Sequence, residues 1–341
     1  MRGRRTAAII FLALAGGAVI LLATGIGAAS VSPGEVLRVF GEALGFLEPG
    51  SSSTSYTIIW KIRLPRVLLG FLIGASLAAA GAAFQGLLQN PLADPYTLGV
   101  SSGAALGAML GILFLPGSGF SWQLAVPLCG FLGALLALFI VYQLGRVGGR
   151  LPVTTVLLAG VVVSSFFSAL ISLTMILAGQ QLRSVFFWIA GGLGMRGWKY
   201  VLPVLPYFGA GLLVLLYFSR DLNLILLGEE AALSMGVEVE RVKRAVLVTA
   251  SLVTAGAVSV SGMIGFVGLI VPHALRILVG PDHRFLLPFS ALGGGIFLVL
   301  ADTFARTVMA PVEIPVGVIT AFVGAPFFLL LLRRHREKYR F

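Results

Sequence analysis

Eight long stretches of this chain carry no charged residue: 6–34, 67–93, 95–145, 151–182, 200–219, 245–275, 285–301 and 314–332. A bilayer-spanning helix needs about 20 apolar residues, so these windows predict an all-α integral membrane protein. The window 95–145 is long enough for two spans, with Pro116-Gly117-Ser118-Gly119 as the turn between them. The window 245–275 is interrupted by Gly262, Gly265 and Gly268 and divides into a full span and a shorter one. The expectation is ten transmembrane helices in a single domain, residues 1–341. Composition agrees, since only 11% of the residues are charged, against about 25% in a soluble globular chain. A soluble enzyme, a disordered chain and a disulfide scaffold are excluded. The single Cys129 forms neither an internal disulfide nor a cysteine metal cluster. A signal peptide is the competing reading of the first window, because Arg2, Arg4 and Arg5 precede an apolar run ending in small residues. The run is long for such a segment.

The net charge of +11 would suggest nucleic acid in a soluble protein; here it reads as orientation. An even number of spans puts both termini on one side. With the termini cytoplasmic, eight of the 24 Lys and Arg fall outside (Arg38, Lys61, Arg63, Arg66, Arg183, Arg196, Lys199, Arg306) and the remaining sixteen inside. That excess satisfies the positive-inside rule, and nucleic acid drops out.

Gly70, Gly74, Ala78, Ala82 and Gly86 recur at i+4, as do Gly99, Gly103, Gly107 and Gly111. Each set makes a smooth helix face that lets a second backbone approach closely. The octapeptide 75–82 recurs at 250–257 with six of eight positions alike. In the topology above the copies run in opposite senses, a weak sign of the inverted repeats found in transporters.

The chemistry of the chain is sparse. No Lys is followed by Ser or Thr, so no Walker A phosphate loop can be written. His273, His283 and His335 lack metal-ligand spacing and read as structural. Intramembrane carboxylates, the usual sites of a coupling ion, are nearly absent, which disfavours an ion-coupled carrier. Asp302 precedes Arg306 by four residues, and a local ion pair explains it. An intramembrane enzyme lacks any nucleophile–base or metal constellation. What remains is a pore-forming subunit driven from elsewhere.

The cytoplasmic loop 220–244 is a candidate place for a driver to attach, an ordinary solvated loop being the competing reading. Residues 221–227 predict one short helix, Gly228 a break, and residues 229–235 a second helix before Gly236. Glu229 and Glu230 suit the positive end of that second helix. On the outer side, Arg63-Leu64-Pro65-Arg66 and Arg306 are candidates for pairing with a partner's carboxylates or for snorkelling to headgroups.

Five segments then point to a family. They are 63–66, 85–95 (Gln-Gly-Leu-Leu-Gln-Asn-Pro-Leu-Ala-Asp-Pro), 98–104, 265–273 (Gly-Phe-Val-Gly-Leu-Ile-Val-Pro-His) and 313–320. In order and spacing, from about residue 56 to 332, the chain resembles the permease subunits of ABC importers for ferric siderophores, haem and vitamin B12. The resemblance implies a type II ABC importer permease fold and a homodimer in the bacterial cytoplasmic (inner) membrane, with the translocation path on the two-fold axis. It implies two copies of an ABC ATPase below, holding ATP and Mg²⁺, and an extracytoplasmic substrate-binding protein above. No cofactor is expected on this chain. The loop 221–243 would carry the coupling helices, through Leu222, Gly228, Glu229, Glu230, Ala231, Ala232 and Gly236. Arg63, Arg66 and Arg306 would dock the binding protein. Val153, Thr154, Thr155, Ser164 and Ser168 would lie along the path or gate, although Val153 stands where some relatives have a hydroxyl. The cargo implied is an iron chelate (ferric siderophore or haem), with cobalamin as the alternative.

Overall fold

The computed structural model describes residues 2–27, 29, 31–48, 50, 52–115 and 122–336, and among them all regular secondary structure is helical. The helices are α1 (Arg2–Gly25), α2 (Pro33–Ala43), α3 (Ser53–Tyr56), α4 (Leu64–Leu87), α5 (Val100–Phe114), α6 (Trp122–Gly145), α7 (Val153–Leu177) and α8 (Leu182–Ile189). They continue as α9 (Trp198–Tyr217), α10 (Ser219–Ile225), α11 (Glu229–Ser234), α12 (Val239–Ser261), α13 (Val267–Val279), α14 (His283–Ala305) and α15 (Val316–Arg336). A π-helical stretch, Thr57–Arg63, fuses α3 and α4 into a single rod, Thr54–Leu87, of 34 residues. Among the described residues, seven helices are long and apolar enough to cross a membrane, and α5, α13 and the apolar part of α15 are shorter. The chain is a multi-pass membrane protein. The turn expected at Pro116–Gly119 lies outside the described residues.

Two span boundaries differ from expectation. The first helix stops at Gly25, and Gly34 belongs instead to α2, whose capping box pairs Ser32 with Glu35. The second span begins upstream at Thr54 and ends at Leu87, so Asn90-Pro91 opens an irregular connection rather than closing the helix. Both stops are set by polar groups that hydropathy does not see: guanidiniums that take the last carbonyls of α1, described below, and the Asx turn in which Asn90 Oδ1 accepts the Leu92 N–H at 2.9 Å.

Close backbone crossings hold the core, among them α4 with α13, where a Cβ on Gly81 would lie against the Gly268 carbonyl. A Cβ placed on Gly74 of α4 would lie 2.2 Å from the Gly294 carbonyl of α14, and one on Gly294 would lie 2.3 Å from the Gly74 carbonyl. Gly103 of α5 and Gly133 of α6 meet in the same reciprocal way, at 2.4 and 2.2 Å. Helices this close are held by dispersion between backbones. Gly74, Gly103 and Gly107 of the stripes read from the sequence make such contacts, whereas Gly70 and Gly86 lie against the Leu193 and His283 side chains.

The repeated octapeptides fall in α4 and α12. Each of those helices is followed by a short one whose preceding residue is left-handed, Gly99 before α5 (φ 76) and Phe266 before α13 (φ 69). Two further helices complete each set, α6 and α7 or α14 and α15. The C-terminal Leu87 of α4 sits beside Lys243 and Leu247 near the start of α12, so the two copies run in opposite senses.

Candidate functional site

At one end of the helix bundle, α10 and α11 form a helical hairpin that is apolar on both faces. Leu222, Ile225 and Ala232 are fully buried against the membrane body, while Leu226, Leu227, Leu233 and Met235 are exposed. Gly228 (φ 114) and Gly236 (φ 82) turn the chain at either end of α11 with backbone that favours glycine. Ala231 is half-buried and Glu230 exposed. The hairpin is tied to the spans by polar contacts that the sequence does not advertise. Asn223 donates to Asp282 Oδ1 at 2.7 Å, and its own Oδ1 accepts the His283 backbone N–H at 2.8 Å. The Gln89 side chain donates to the Ile225 carbonyl at 2.8 Å. These clamp α10 to the N-terminus of α14 and the C-terminus of α4. His283 is fully buried and its Nδ1 lies 2.9 Å from Asn223 Oδ1, so it serves this clamp.

Hydrogen bonds from Arg284 and then Asn223 hold the Asp282 carboxyl down at about 2. A carboxyl depressed below its ordinary value of about 3.9 gives its stabilisation in full above that value and loses it only as pH falls toward 2. Asp282→Asn is therefore expected to lower the thermal midpoint in detergent by the same amount at pH 5 and pH 8. A difference that vanishes at pH 5 would mean that the carboxyl is not held below its ordinary value.

At the opposite end, the three arginines expected to face a docking protein are turned inward. Arg63 donates to the carbonyls of Thr24 (3.5 Å), Gly25 (2.9 Å) and Ala29 (2.5 Å), and Gly27 leaves the space that its guanidinium fills. Arg306 reaches the Ala23 carbonyl and Thr303. Together they occupy the unpaired carbonyls at the C-terminus of α1, where positive charge is favoured. Arg66 forks onto Asp302 at 2.9 and 3.0 Å and onto Glu313 at 2.9 and 3.0 Å. The local Asp302–Arg306 pair is only a 3.8 Å contact; the main partner of Asp302 is Arg66, across the α4–α14 crossing, because that arm reaches it bidentately. Of this cluster only Glu313, half-exposed, presents substantial charge outward. Beside it a cavity of about 380 Å³ is lined by Arg66, Arg196, Asp302, Glu313, Trp188 and Tyr200.

Helix α7 divides the expected gate residues. Thr155 spends its hydroxyl on the carbonyls of Gly145 and Pro152, both at 2.9 Å, and Ser164 turns toward the Tyr96 carbonyl at 3.4 Å. Val153 is half-buried against Leu87 and Leu247. Thr154 and Ser168 lie on the exposed face. They share it with Leu158, Val161, Ser165 and Ser172, a seam in steps of three and four residues. Sequence reasoning missed Ser165 and Ser172, although their spacing from Thr154 was available. An adjacent exposed stripe, Val162, Phe166, Ala169, Leu173 and Ile176, is wholly apolar. Hydroxyls on one stripe and none on the next distinguish a face for water or a partner helix from a face for lipid.

The match to known proteins is broad. Residues 12–334 match the FecCD transport family. This chain belongs to that family. It is 50% identical over 287 residues to the cobalamin import system permease protein of Halobacterium salinarum, covering 84% of this chain and 76% of that one. It is 41% identical to the hemin transport system permease protein of Yersinia pestis, over 87% of this chain and 93% of the relative. The Fe(3+) dicitrate transport system permease protein of Escherichia coli is 35% identical, over 82% and 86%. A solved structure described as an inward-facing metal-chelate type ABC transporter superposes with a TM-score of 0.84 at 32% identity, covering 96% of this chain and 99% of that one. The FecCD chain is thus an ABC importer permease in fold and function.

Proposed function

We propose that this FecCD permease works as a homodimer of ten-span subunits, with both termini cytoplasmic, in a bacterial inner membrane. Two ATPase subunits bind its α10–α11 hairpins and hydrolyse ATP, and an extracytoplasmic binding protein delivers cargo from the other side. The observation that carries this reading is the hairpin itself. Leu222, Ile225 and Ala232 are buried, yet Leu227, Leu233 and Met235 stand exposed, and short amphipathic helices of this kind seat in a partner's groove. The hydroxyl seam of α7 supports a path along the dimer axis, with Thr154 and Ser168 among its walls. The cargo is an iron chelate, ferric siderophore or haem, in keeping with the haemin and ferric dicitrate relatives. Cobalamin is the second reading, favoured by the Halobacterium salinarum relative.

Vesicles containing the permease, its ATPase and its binding protein test this directly. ATP-dependent accumulation of haemin, a ferric hydroxamate or cobalamin is expected; accumulation by the permease alone, without an ATPase, would falsify the reading. Gly236→Val is expected to leave ATP hydrolysis intact while uptake falls, because the left-handed turn after α11 is strained by a β-branched side chain. Unchanged uptake per ATP would remove the hairpin from the coupling route.

The docking face is proposed at the end that holds Arg66, with Arg63 and Arg306 as its internal supports. Glu313 occupies the Arg66 fork, so Glu313→Gln is expected to strengthen binding-protein docking in a manner that added salt suppresses. An unchanged affinity at low salt would exclude Arg66 as the docking cation.

A further inference from the structure

Lys243 has a place in the fold that its sequence context conceals. It lies in the first turns of α12, in a stretch rich in charge, yet its side chain is only 4% exposed. Its ammonium lies 2.6 Å from Glu229 Oε1 of α11, 3.2 Å from the Leu151 carbonyl and 3.4 Å from Glu240 Oε1. An ammonium has three protons to donate, and these three acceptors use them all. Glu240 completes the arrangement, its Oε2 accepting the Leu151 N–H at 2.9 Å. The amide N–H and the carbonyl of Leu151 are thus held by one Glu240–Lys243 pair.

Leu151 is a stiff point. It is buried, and it follows the Val147–Arg150 bridge, in which each residue's N–H meets the other's carbonyl at 3.0 Å. Pro152 comes next and opens α7, and Thr155 pins the first turn of α7 back to the Gly145 carbonyl at the end of α6. A displacement of Leu151 therefore carries the start of α7 with it. Among the described residues, Glu229–Lys243 is the one ion pair between α11 and another helix. Helix α10, by contrast, is bound to α14 and α4 through Asn223 and Gln89. The two helices of the hairpin reach different spans.

We propose that Lys243 is the positioning residue that transmits motion of α11 to the cytoplasmic end of α7, the helix that carries the hydroxyl seam. This deepens the permease reading and rests on it. Breaking the Glu229–Lys243 pair leaves the hairpin docked on its ATPase and frees α7 from following it.

The test uses the complete importer in vesicles, with Cys129→Ala as background and spin labels at Ser234→Cys on α11 and Thr154→Cys on α7, both exposed positions. In the parent, the two labels are expected to keep their separation between the nucleotide-free and the ATP–vanadate-trapped states. In Lys243→Met the separation is expected to change by about 2 Å or more, the scale of helix shifts at interfaces. Uptake of the accumulated chelate per ATP hydrolysed is expected to fall about tenfold, a typical size for coupling between two linked sites, while ATP hydrolysis persists. Lys243→Arg, which keeps the charge, is expected to restore part of the ratio. Glu229→Gln cuts the same pair at a side chain that is 42% exposed and leaves Lys243 its other two acceptors; because Glu229 also lies on the docking hairpin, it is read by the label separation together with ATPase binding, in a folded chain should Lys243→Met misfold. A parent-like ratio and a parent-like label separation in Glu229→Gln overturn the proposal. A parent chain that binds no ATPase overturns the permease reading, and this proposal with it.

Discussion

Arg66→Met is expected to lower the stability of the detergent-solubilised chain by about 3–5 kcal/mol, the cost of stranding a buried charge. The reason is the depth of the pair: the side chains of Arg66 and Asp302 are 11% and 4% exposed, so water cannot take over the lost partner. Arg241 and Glu238 form a control at the surface, where the side chains are 71% and 72% exposed. Arg241→Gln is expected to cost no more than about 1 kcal/mol. Adding Asp302→Leu to Arg66→Met should recover only part of the loss, because it removes the stranded carboxylate but takes from the buried Arg306 its 3.8 Å partner. Thermal unfolding of the four chains measures this, and equal midpoints for Arg66→Met and Arg241→Gln would show that the Arg66–Asp302 cluster is not buried in solution.

Gly74→Val is expected to abolish the folded chain. The new Cβ would lie 2.2 Å from the Gly294 carbonyl and 2.7 Å from the Leu298 Cβ, and backbone cannot move aside as a side-chain tip can. Overpacking a close-packed core costs about 1–3 kcal/mol and occasionally more, and here two whole helices must separate. Gly209→Ala is the control, since a Cβ on Gly209 meets nothing within 4 Å. Size-exclusion profiles of the extracted proteins decide the matter: a monodisperse Gly74→Val peak at parent yield would contradict the α4–α14 crossing.

The spans, the glycine contacts and the α10–α11 hairpin were legible because each has a local signature: a charge-free window, a repeat at i+4, a glycine between two short amphipathic runs. The inverted repeat was legible only as eight residues, and its structural partner, a short helix behind a left-handed residue, carries no sequence mark at Phe266. The inward contacts of the arginines are not legible in the sequence, for a physical reason. Positive-inside counting treats a guanidinium as a surface charge, whereas Arg63 and Arg306 are drawn inward by carbonyls that α1 leaves unpaired at its end. Arg66 reads in the sequence as an unpaired charge because its acceptors, Asp302 and Glu313, lie 236 and 247 residues away. Lys243 was counted as a loop charge. A usable signal was present in the Glu240–Lys243 spacing, in a chain with only 13 acidic residues.

The glycine crossings also limit how such a molecule can open. Where α4 meets α14, and where α5 meets α6, a carbonyl of one backbone rests on the α-carbon of the other, and sliding would drive it into the neighbouring turn. Each pair can tilt only as one plank. The give must come from elsewhere in the bundle. A gate formed there would swing on a stationary frame, and the frame would need no repacking from one cycle to the next.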